Sequence, residues 1–341
     1  MPRSNERSGA QRVRMTDVAR RAEVSPMTVS RALREPDKVS AETRRKILEA
    51  IEAVGYVPNR LAGSLASNRS NVVGLIVPSI KNSLFAETIQ ATAGALAEAS
   101  FHLLIAESGH DIVAEEKLIA AFVEQRVSGI VLHNTTHTER ARALVRNAGV
   151  PVIETGDLSR DPLDIVVSYS NFEAAKAMTR YLFRRGYRRI GFVSLETGSN
   201  DRASERRRGY LSALESLEVE AEPLLIRTTP PGLAAGRGAL LELMKVSPRP
   251  DAIFFAGDVL AIGAAFECQR QGWRVPQDLA IASFDDLDIL QHMVPTVTSL
   301  RLPRREIGEF AATILLQRIQ GLDSGIVEKD LGFDIVQRES T

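Results

Sequence analysis

Residues 15–67 read MTDVARRAEVSPMTVSRALREPDKVSAETRRKILEAIEAVGYVPNRLAGSLAS. Apolar residues recur in this stretch at helical spacing, with two interruptions. Thr16 can cap a first helix whose opening turn carries Asp17, with Val18, Ala19 and Ala22 on one face. A three-residue break, Glu23-Val24-Ser25, follows. Ser25 is a good N-cap, and Pro26 stands at the first helical position, where its missing N–H costs nothing. The second helix, Pro26 to about Leu33, turns Val29, Ala32 and Leu33 inward and leaves Met27, Thr28, Ser30 and Arg31 outside or on the flank. A third starts at the cap Ser40, runs through Ile47, Leu48, Ile51 and Val54, and stops at Gly55. Two short helices joined by a tight turn and closed by a third make a helix-turn-helix. DNA reading by such a unit needs small polar or long donor side chains at the start of the second helix, and Pro26 to Arg31 supplies them. Spacing alone is also compatible with a plain three-helix bundle whose polar face is only solvated.

A resemblance separates the two. From Met15 to Ser67 the sequence strongly resembles, at nearly every position, the headpiece of the lac repressor family of bacterial transcription regulators. That resemblance implies double-stranded operator DNA as a partner. It puts Pro26 and Met27 at the two variable base-reading positions and Thr28, Ser30 and Arg31 at positions used for phosphate and base contacts, with Thr16 and Ser25 in the same DNA-binding set. Glu23 departs from the glycine usual in this turn; if the backbone there is left-handed, its side chain costs about 1 kcal/mol.

Tyr56 to Ala66 resembles the family's hinge. Pro58 disfavours helix at the residue before it, and Asn59 can cap a short helix from Arg60 to Ala66. Alone in water so short a helix does not persist, so it is expected to form when paired with its dimer mate on DNA. Asn59 and Arg60 join the DNA-binding set. Leu65 sits where the family drives an apolar wedge into the minor groove, with ordinary linker packing as its alternative role. Gly63 replaces the usual polar residue and weakens the helix by up to about 1 kcal/mol.

Charge follows the same division. The chain holds 43 basic and 43 acidic residues; residues 1–70 carry 14 and 8 of them, which leaves 29 and 35 to residues 71–341. A basic head on an acidic body points only the head at a polyanion. The length of 341 residues, 44% apolar and 25% charged, fits a globular chain of two or three domains. No stretch approaches the roughly 20 apolar residues of a membrane span. The Arg-rich leader, residues 1–14, is expected to be disordered and lacks the apolar core of a secretory signal. The single cysteine, Cys268, forms no internal disulfide. Together these features point to the cytoplasm.

From Val72 the pattern becomes alternating strand and helix. Buried-type strand runs are Val72–Val77, Phe101–Ala106, Gly129–His133, Arg189–Ser194, Asp251–Ala256 and Leu279–Phe284. Amphipathic stretches lie between them, among them Leu84–Ala99, Glu115–Gln125, Phe172–Arg185, Ala203–Leu217 and Asp258–Gln271. Repeated βα units imply an α/β body of parallel sheets covered by helices. So long a body is expected to form two lobes with a ligand cleft between them, at the carboxyl ends of the strands. The family's body resembles periplasmic sugar-binding proteins, with three crossings between lobes. They are expected here near Ser168–Asn171, Pro295–Ser299 and Gly321–Val327, giving one lobe of about 71–168 and 298–324 and another of about 169–297 and 325–341.

No nucleotide loop, HExxH or GxSxG motif is present, so neither an enzyme nor a cofactor is expected. His133 and His137 are separated by a loop-like Asn134-Thr135-Thr136 and are not expected to hold a metal. The cluster Asp285-Asp286-Leu287-Asp288 lacks EF-hand spacing and reads as a ligand-facing loop with solvated charges. By family position, Arg206 matches the arginine that grips the effector and Asp285 the aspartate that accepts its hydroxyls. A guanidinium suits a carboxylate or vicinal hydroxyls, and a carboxylate suits sugar O–H donors. A structural Arg206–Asp285 ion pair is the alternative, and Arg207 and Arg208 read as solvated charges. Weaker effector candidates are Phe85, His133 and Asp258; Gly257 stands beside Asp258 where the family commonly has asparagine.

Within the family, segments such as Asn171-Phe172-Glu173-Ala174-Ala175 and Gly263 to Arg270 resemble its gluconate-utilisation branch. That implies gluconate or a related sugar acid as small-molecule effector, releasing operator DNA, and a homodimeric repressor on a pseudo-palindromic operator. Only four residues follow the strand-like run Asp330–Gln337, too few for a tetramerising heptad tail. Rival readings are the same regulator with another sugar or a purine, an activator, or a sugar-binding transport protein.

Overall fold

The computed structural model describes residues 13–56 and 70–341, apart from 82, 160, 199, 323 and 324. The hinge expectations for Asn59, Arg60, Gly63 and Leu65, and those for residues 1–12, lie outside the described residues. The chain divides into two compact units, 1–70 and 71–341.

The first unit holds α1 (Met15–Arg21), α2 (Pro26–Arg34) and α3 (Ala41–Val54). Ser25 caps α2 as expected, its Oγ accepting the Thr28 N–H at 3.1 Å, with Pro26 in the first turn. Ser40 does the same for α3 through Thr43, and Gly55 ends it in the left-handed conformation at φ +65°. Glu23 adopts φ +55°, so the turn is left-handed despite its side chain. Val18, Ala19, Ala22, Val29, Ala32, Ile47 and Ala50 form the small core. Two expectations are corrected. Thr16 lies inside α1 rather than capping it; Arg14 precedes the helix, and its N–H is taken by Asp17 at 2.8 Å. Leu48 is 51% exposed, because Ile47 and Ala50 take the inward face of α3.

The second unit contains two six-stranded sheets. The first uses β1 (Val72–Val77), β2 (His102–Glu107), β3 (Gly129–Leu132), β4 (Val152–Glu154), β5 (Ile165–Ser168) and β11 (Glu328–Asp330), in the order β11-β5-β4-β3-β1-β2 with every pair parallel. The second uses β6 (Ile190–Leu195), β7 (Ile226–Thr229), β8 (Ala252–Phe255), β9 (Ala280–Asp285), β10 (Thr298–Arg301) and β12 (Asp334–Val336), in the order β12-β10-β9-β8-β6-β7. Only β12 runs antiparallel to its neighbour. Helices α4 (Ala86–Glu98), α5 (Ile112–Glu124), α6 (Glu139–Ala148) and α11 (Arg304–Ile319) accompany the first sheet, and α7 (Asn171–Arg184), α8 (Asp201–Ser216), α9 (Leu233–Leu243) and α10 (Asp258–Gln271) the second. Val, Ile, Leu and Phe bury β1, β3, β5 and β8 on both faces, as helix-covered parallel sheets require.

The second and third crossings differ from expectation. β10 pairs with β9, so the chain stays in the second lobe through Arg301 and leaves it before α11, not at Pro295–Ser299. β11 pairs with β5 and β12 with β10, which moves the last crossing from Gly321–Val327 to the segment between Asp330 and Asp334. The last shift has its physical reason in composition: Glu-Lys-Asp of β11 is an edge strand without an apolar signal, so hydropathy does not mark its place beside β5.

Candidate functional site

In the first unit, α2 presents its opening turn to solvent. Met27 is 66% exposed, Ser25, Pro26 and Arg31 are exposed, and Thr28 and Ser30 are half-buried on the flank. Thr16, exposed, sits at the second position of α1. Ser25 and Thr28 share a hydroxyl–hydroxyl bond of 2.9 Å, so the cap also fixes a polar side chain of this face. Small polar groups, an apolar tip and a guanidinium at a helix start are the tools for reading base edges and phosphates.

In the second unit, polar side chains gather at the carboxyl ends of the strands. Helix α8 is capped by Asn200, whose Oδ1 accepts the Ala203 N–H at 3.2 Å. It can lie close to α7 because Gly209 has no Cβ; one there would come within 2.1 Å of the Phe172 carbonyl oxygen. The helix carries Arg206 inward, to 8% exposure. Arg206 donates from Nε to Asn171 Oδ1 at 2.7 Å and from Nη1 to the Ala256 carbonyl at 3.0 Å, and its guanidinium lies 3.6 Å from the centroid of Phe284. Its Nη2 is 3.7 Å from Asp285 Oδ1, an ion-pair distance without a hydrogen bond.

Asp285 ends β9 at φ +105°, a strained backbone for a residue with a side chain. Arg304 donates to its main-chain oxygen and stands 3.4 Å from Oδ1. That Oδ1 is buried and accepts no hydrogen bond among the described residues. The neighbouring Asp286 is instead fully engaged, by Arg301 at 2.8 Å and Arg338 at 2.6 Å. The acidic cluster therefore splits into a held carboxylate and one with an open acceptor.

Asp258 lies elsewhere in role. It is 2% exposed, and its oxygens are taken by Ser283 Oγ and the Leu287 N–H, with Ser299 Oγ at 3.4 Å. Burial and the charge of Asp285 push it up to about 8, so it is protonated at neutral pH. It anchors the loop that follows Asp285, and no acceptor is left over for an effector; a burial site at a helix start looks the same in sequence as a cleft position.

Phe85, largely buried in the first lobe's core, meets the half-buried His133 ring edge-on at 4.7 Å. Burial, then the guanidinium charges of Arg202 and Arg206, push His133 well below its usual value, so its ring is neutral. His137 goes a separate way: its ring is buried between Glu115 at 2.6 Å and Glu154 at 2.8 Å.

Several participants escaped the sequence reading. Arg304 opens a helix beside Arg305 and reads as a solvated charge. Asn171 orients Arg206 while its own N–H is held by Asp157 at 3.0 Å. Burial pushes Asp157 up to about 6. Asp201, Arg202 and Glu115, which is followed by Glu116 and Lys117, resemble ordinary helix-start residues, and only Glu154, at the end of the apolar run Val152-Ile153, carries a legible signal of buried polarity.

A helix-turn-helix unit joined to a two-sheet body of the binding-protein type defines a ligand-responsive DNA-binding regulator. The profile of bacterial regulatory proteins, lacI family, matches residues 14–59, and that of the periplasmic binding protein-like domain matches residues 179–341. The chain is 34% identical over 321 residues to the transcriptional regulator GntR of Escherichia coli, covering 94% of this chain and 96% of that protein. It is 31% identical over 329 residues to the E. coli transcriptional repressor CytR, covering 96% of each. A solved lacI-family regulator from Silicibacter pomeroyi superposes with a TM-score of 0.90 at 32% identity, over 96% of this chain and 99% of that one. The chain belongs to the lacI family of bacterial regulatory proteins and is a DNA-binding transcriptional regulator. No helix among the described residues is long and apolar enough to cross a membrane.

Proposed function

We propose that the chain is a homodimeric, cytoplasmic repressor of sugar-acid catabolism, with gluconate or a close relative as inducer. Two headpieces read half-sites of an operator through Thr16, Ser25, Pro26, Met27, Thr28, Ser30 and Arg31, and the hinge residues Asn59, Arg60 and Leu65 engage its centre. Effector bound between the lobes by Arg206 and Asp285, with Phe85 and His133 on the opposite wall, favours the conformation with lower operator affinity. Asp258 acts from behind, through the 285–287 loop.

One observation carries the reading of the ligand. Arg206 and Arg304 flank a buried Asp285 whose Oδ1 has no hydrogen-bond donor among the described residues. Guanidinium groups complement a carboxylate, and the open acceptor complements a hydroxyl, so the site suits a polyhydroxy acid better than a neutral sugar. Likeness to GntR over nearly the whole chain supports the same class. The likeness to CytR supports a second reading, the same regulator with a different effector.

Calorimetric titration with gluconate, ketogluconate, glucose and hypoxanthine tests this. Binding of a sugar acid, weakened on the order of 100-fold in Arg206→Ala by loss of charge-assisted hydrogen bonds, is the expected result. Binding of glucose or hypoxanthine alone would replace the sugar acid with the second reading. Operator binding that is weakened by salt, and released by the bound compound, tests repression with induction.

A further inference from the structure

The two lobes touch directly at the start of α8. Asp201, the first residue of that helix in the second lobe, accepts through Oδ2 both the main-chain N–H and the hydroxyl of Thr135 in the first lobe, each at 3.0 Å. Arg202 donates from Nη1 to the His133 carbonyl at 2.9 Å and to Asn134 Oδ1 at 3.0 Å. Burial opposes ionisation of Asp201, but Arg202 and the Thr135 donors outweigh it and hold the carboxyl below its usual value.

The loop that receives these bonds is braced from behind. Asn134 Nδ2 donates to Glu115 Oε2 at 2.6 Å; the other oxygen of Glu115 holds His137, which holds Glu154. A Cβ at Gly156 would lie 1.7 Å from the His133 carbonyl oxygen, so the segment after β4 presses on the same carbonyl that Arg202 uses. The receiving groups are thus fixed before the second lobe meets them.

Position gives the contact its leverage. The chain crosses between lobes from β5, from β10 and between β11 and β12. The Thr135 loop follows β3, two strands in from β5, and Asp201 follows β6, three strands in from β10. At about 4.8 Å per strand, the contact stands roughly 10 to 14 Å from the crossing strands. Bonds at that remove resist opening about the crossings.

We infer that Asp201 and Arg202 are positioning residues for effector recognition: they latch α8 of the second lobe to the loop after β3 of the first, and so set Arg206 against His133 and Phe85. Arg202 and Arg206 are four residues apart and share a helix face, so tying one places the other. This rests on the cleft being the effector site. Asp201 and Arg202 act through the placement of Arg206 and of the loop that carries His133.

Hydrogen exchange on the full-length chain reads the latch with no effector present. In Asp201→Asn and in Thr135→Val, the amides of 133–138 are expected to exchange roughly tenfold faster, while those of β3 and β6 keep their protection. Thr135→Val leaves α8 intact, which covers the case in which Asp201→Asn disturbs the helix start. Gluconate affinity is expected to fall roughly tenfold in Asp201→Asn, with the double variant no weaker, because the hydroxyl bond that Thr135→Val removes is one of the two that already end on Asp201. Exchange and affinity within about twofold of wild type in both variants would overturn the latch. If wild type binds a different panel compound, loss of that compound's affinity in Asp201→Asn supports the latch while the sugar-acid reading fails. If Arg206→Ala abolishes gluconate binding while the latch variants behave as wild type, the effector reading stands and the latch falls.

Discussion

The headpiece and the cleft build their working surfaces in opposite ways. In the headpiece the groups proposed to face DNA are the ones the core leaves over: Val29 and Ala32 of α2 are buried, and Met27 and Arg31 of the same helix are not. Their positions follow from a helical repeat within one short segment. In the cleft the proposed effector-binding groups are themselves buried, and each is held by a residue distant in sequence: Arg206 by Asn171 and Ala256, Asp285 by Arg304. A surface of the first kind tolerates change at its tips and fails when its small core fails. One of the second kind keeps its fold through many changes and loses function when a buried partner goes missing.

Core truncation exposes this contrast with the largest effect. Ile47 is 1% exposed and one of seven buried apolar residues among the described residues of the headpiece. Ile47→Ala is expected to cost about 3 to 5 kcal/mol, which a core that small cannot absorb. Calorimetry should show the headpiece transition lost or shifted far down, with operator binding abolished, while the body melts as in wild type and still binds effector. Retained operator affinity would mean that the headpiece draws stability from outside its own core.

Legibility divides along the same line. α10 falls at Asp258–Gln271 as read, and the left-handed turn at Glu23 follows from one position in one motif. Leu48 was misplaced because α3 buries a narrow stripe, and an apolar residue beside the stripe carries the same letter as one on it. The last crossing between lobes is not legible because β11 has no apolar residue, so its pairing with β5 leaves no trace in hydropathy. Asp258 and Asp285 both follow strand-like runs; only three dimensions tell that one is fully partnered and the other is not.

The buried histidine sharpens the contrast by pH. Burial alone would lower His137, but hydrogen bonds and charge from Glu115 and Glu154 overcome it and raise the imidazole to about 9. Arg142 is the cation nearest to this trio in effect, acting on Glu154. A group whose folded value exceeds its unfolded 6.5 stabilises fully below that pH, and the contribution drains away as pH rises through about 9. Measured by denaturant unfolding, the stability advantage of wild type over His137→Gln is therefore expected to shrink by about 2 to 3 kcal/mol between pH 6 and 10, while Asp258, which keeps its proton in the folded body up to about 8, lowers the stability of both alike as pH rises toward that value. The headpiece contains no histidine and should show no such slope. An equal slope in the variant would assign the effect to other groups.

The smallest expected effect separates the two aspartates at the ends of neighbouring elements. Asp258 is already neutral at pH 7, and the amide of asparagine can accept the Leu287 N–H with its oxygen while its NH₂ donates to Ser283 Oγ, which holds the other carboxyl oxygen now. Asp258→Asn is thus expected to change effector affinity by less than about threefold, under about 1 kcal/mol. Asp285 differs because two guanidinium groups face it, 3.4 and 3.7 Å away, and its Oδ1 has no donor of its own. Asp285→Asn removes the charge those arginines balance and puts an N–H₂ donor into a cationic surrounding, so it should weaken effector binding by at least tenfold. Paired titrations of the two variants decide the matter. Equal losses would place Asp258 against the ligand after all, and a loss confined to Asp285 would show that two carboxylates with the same sequence context are separated by their partners alone.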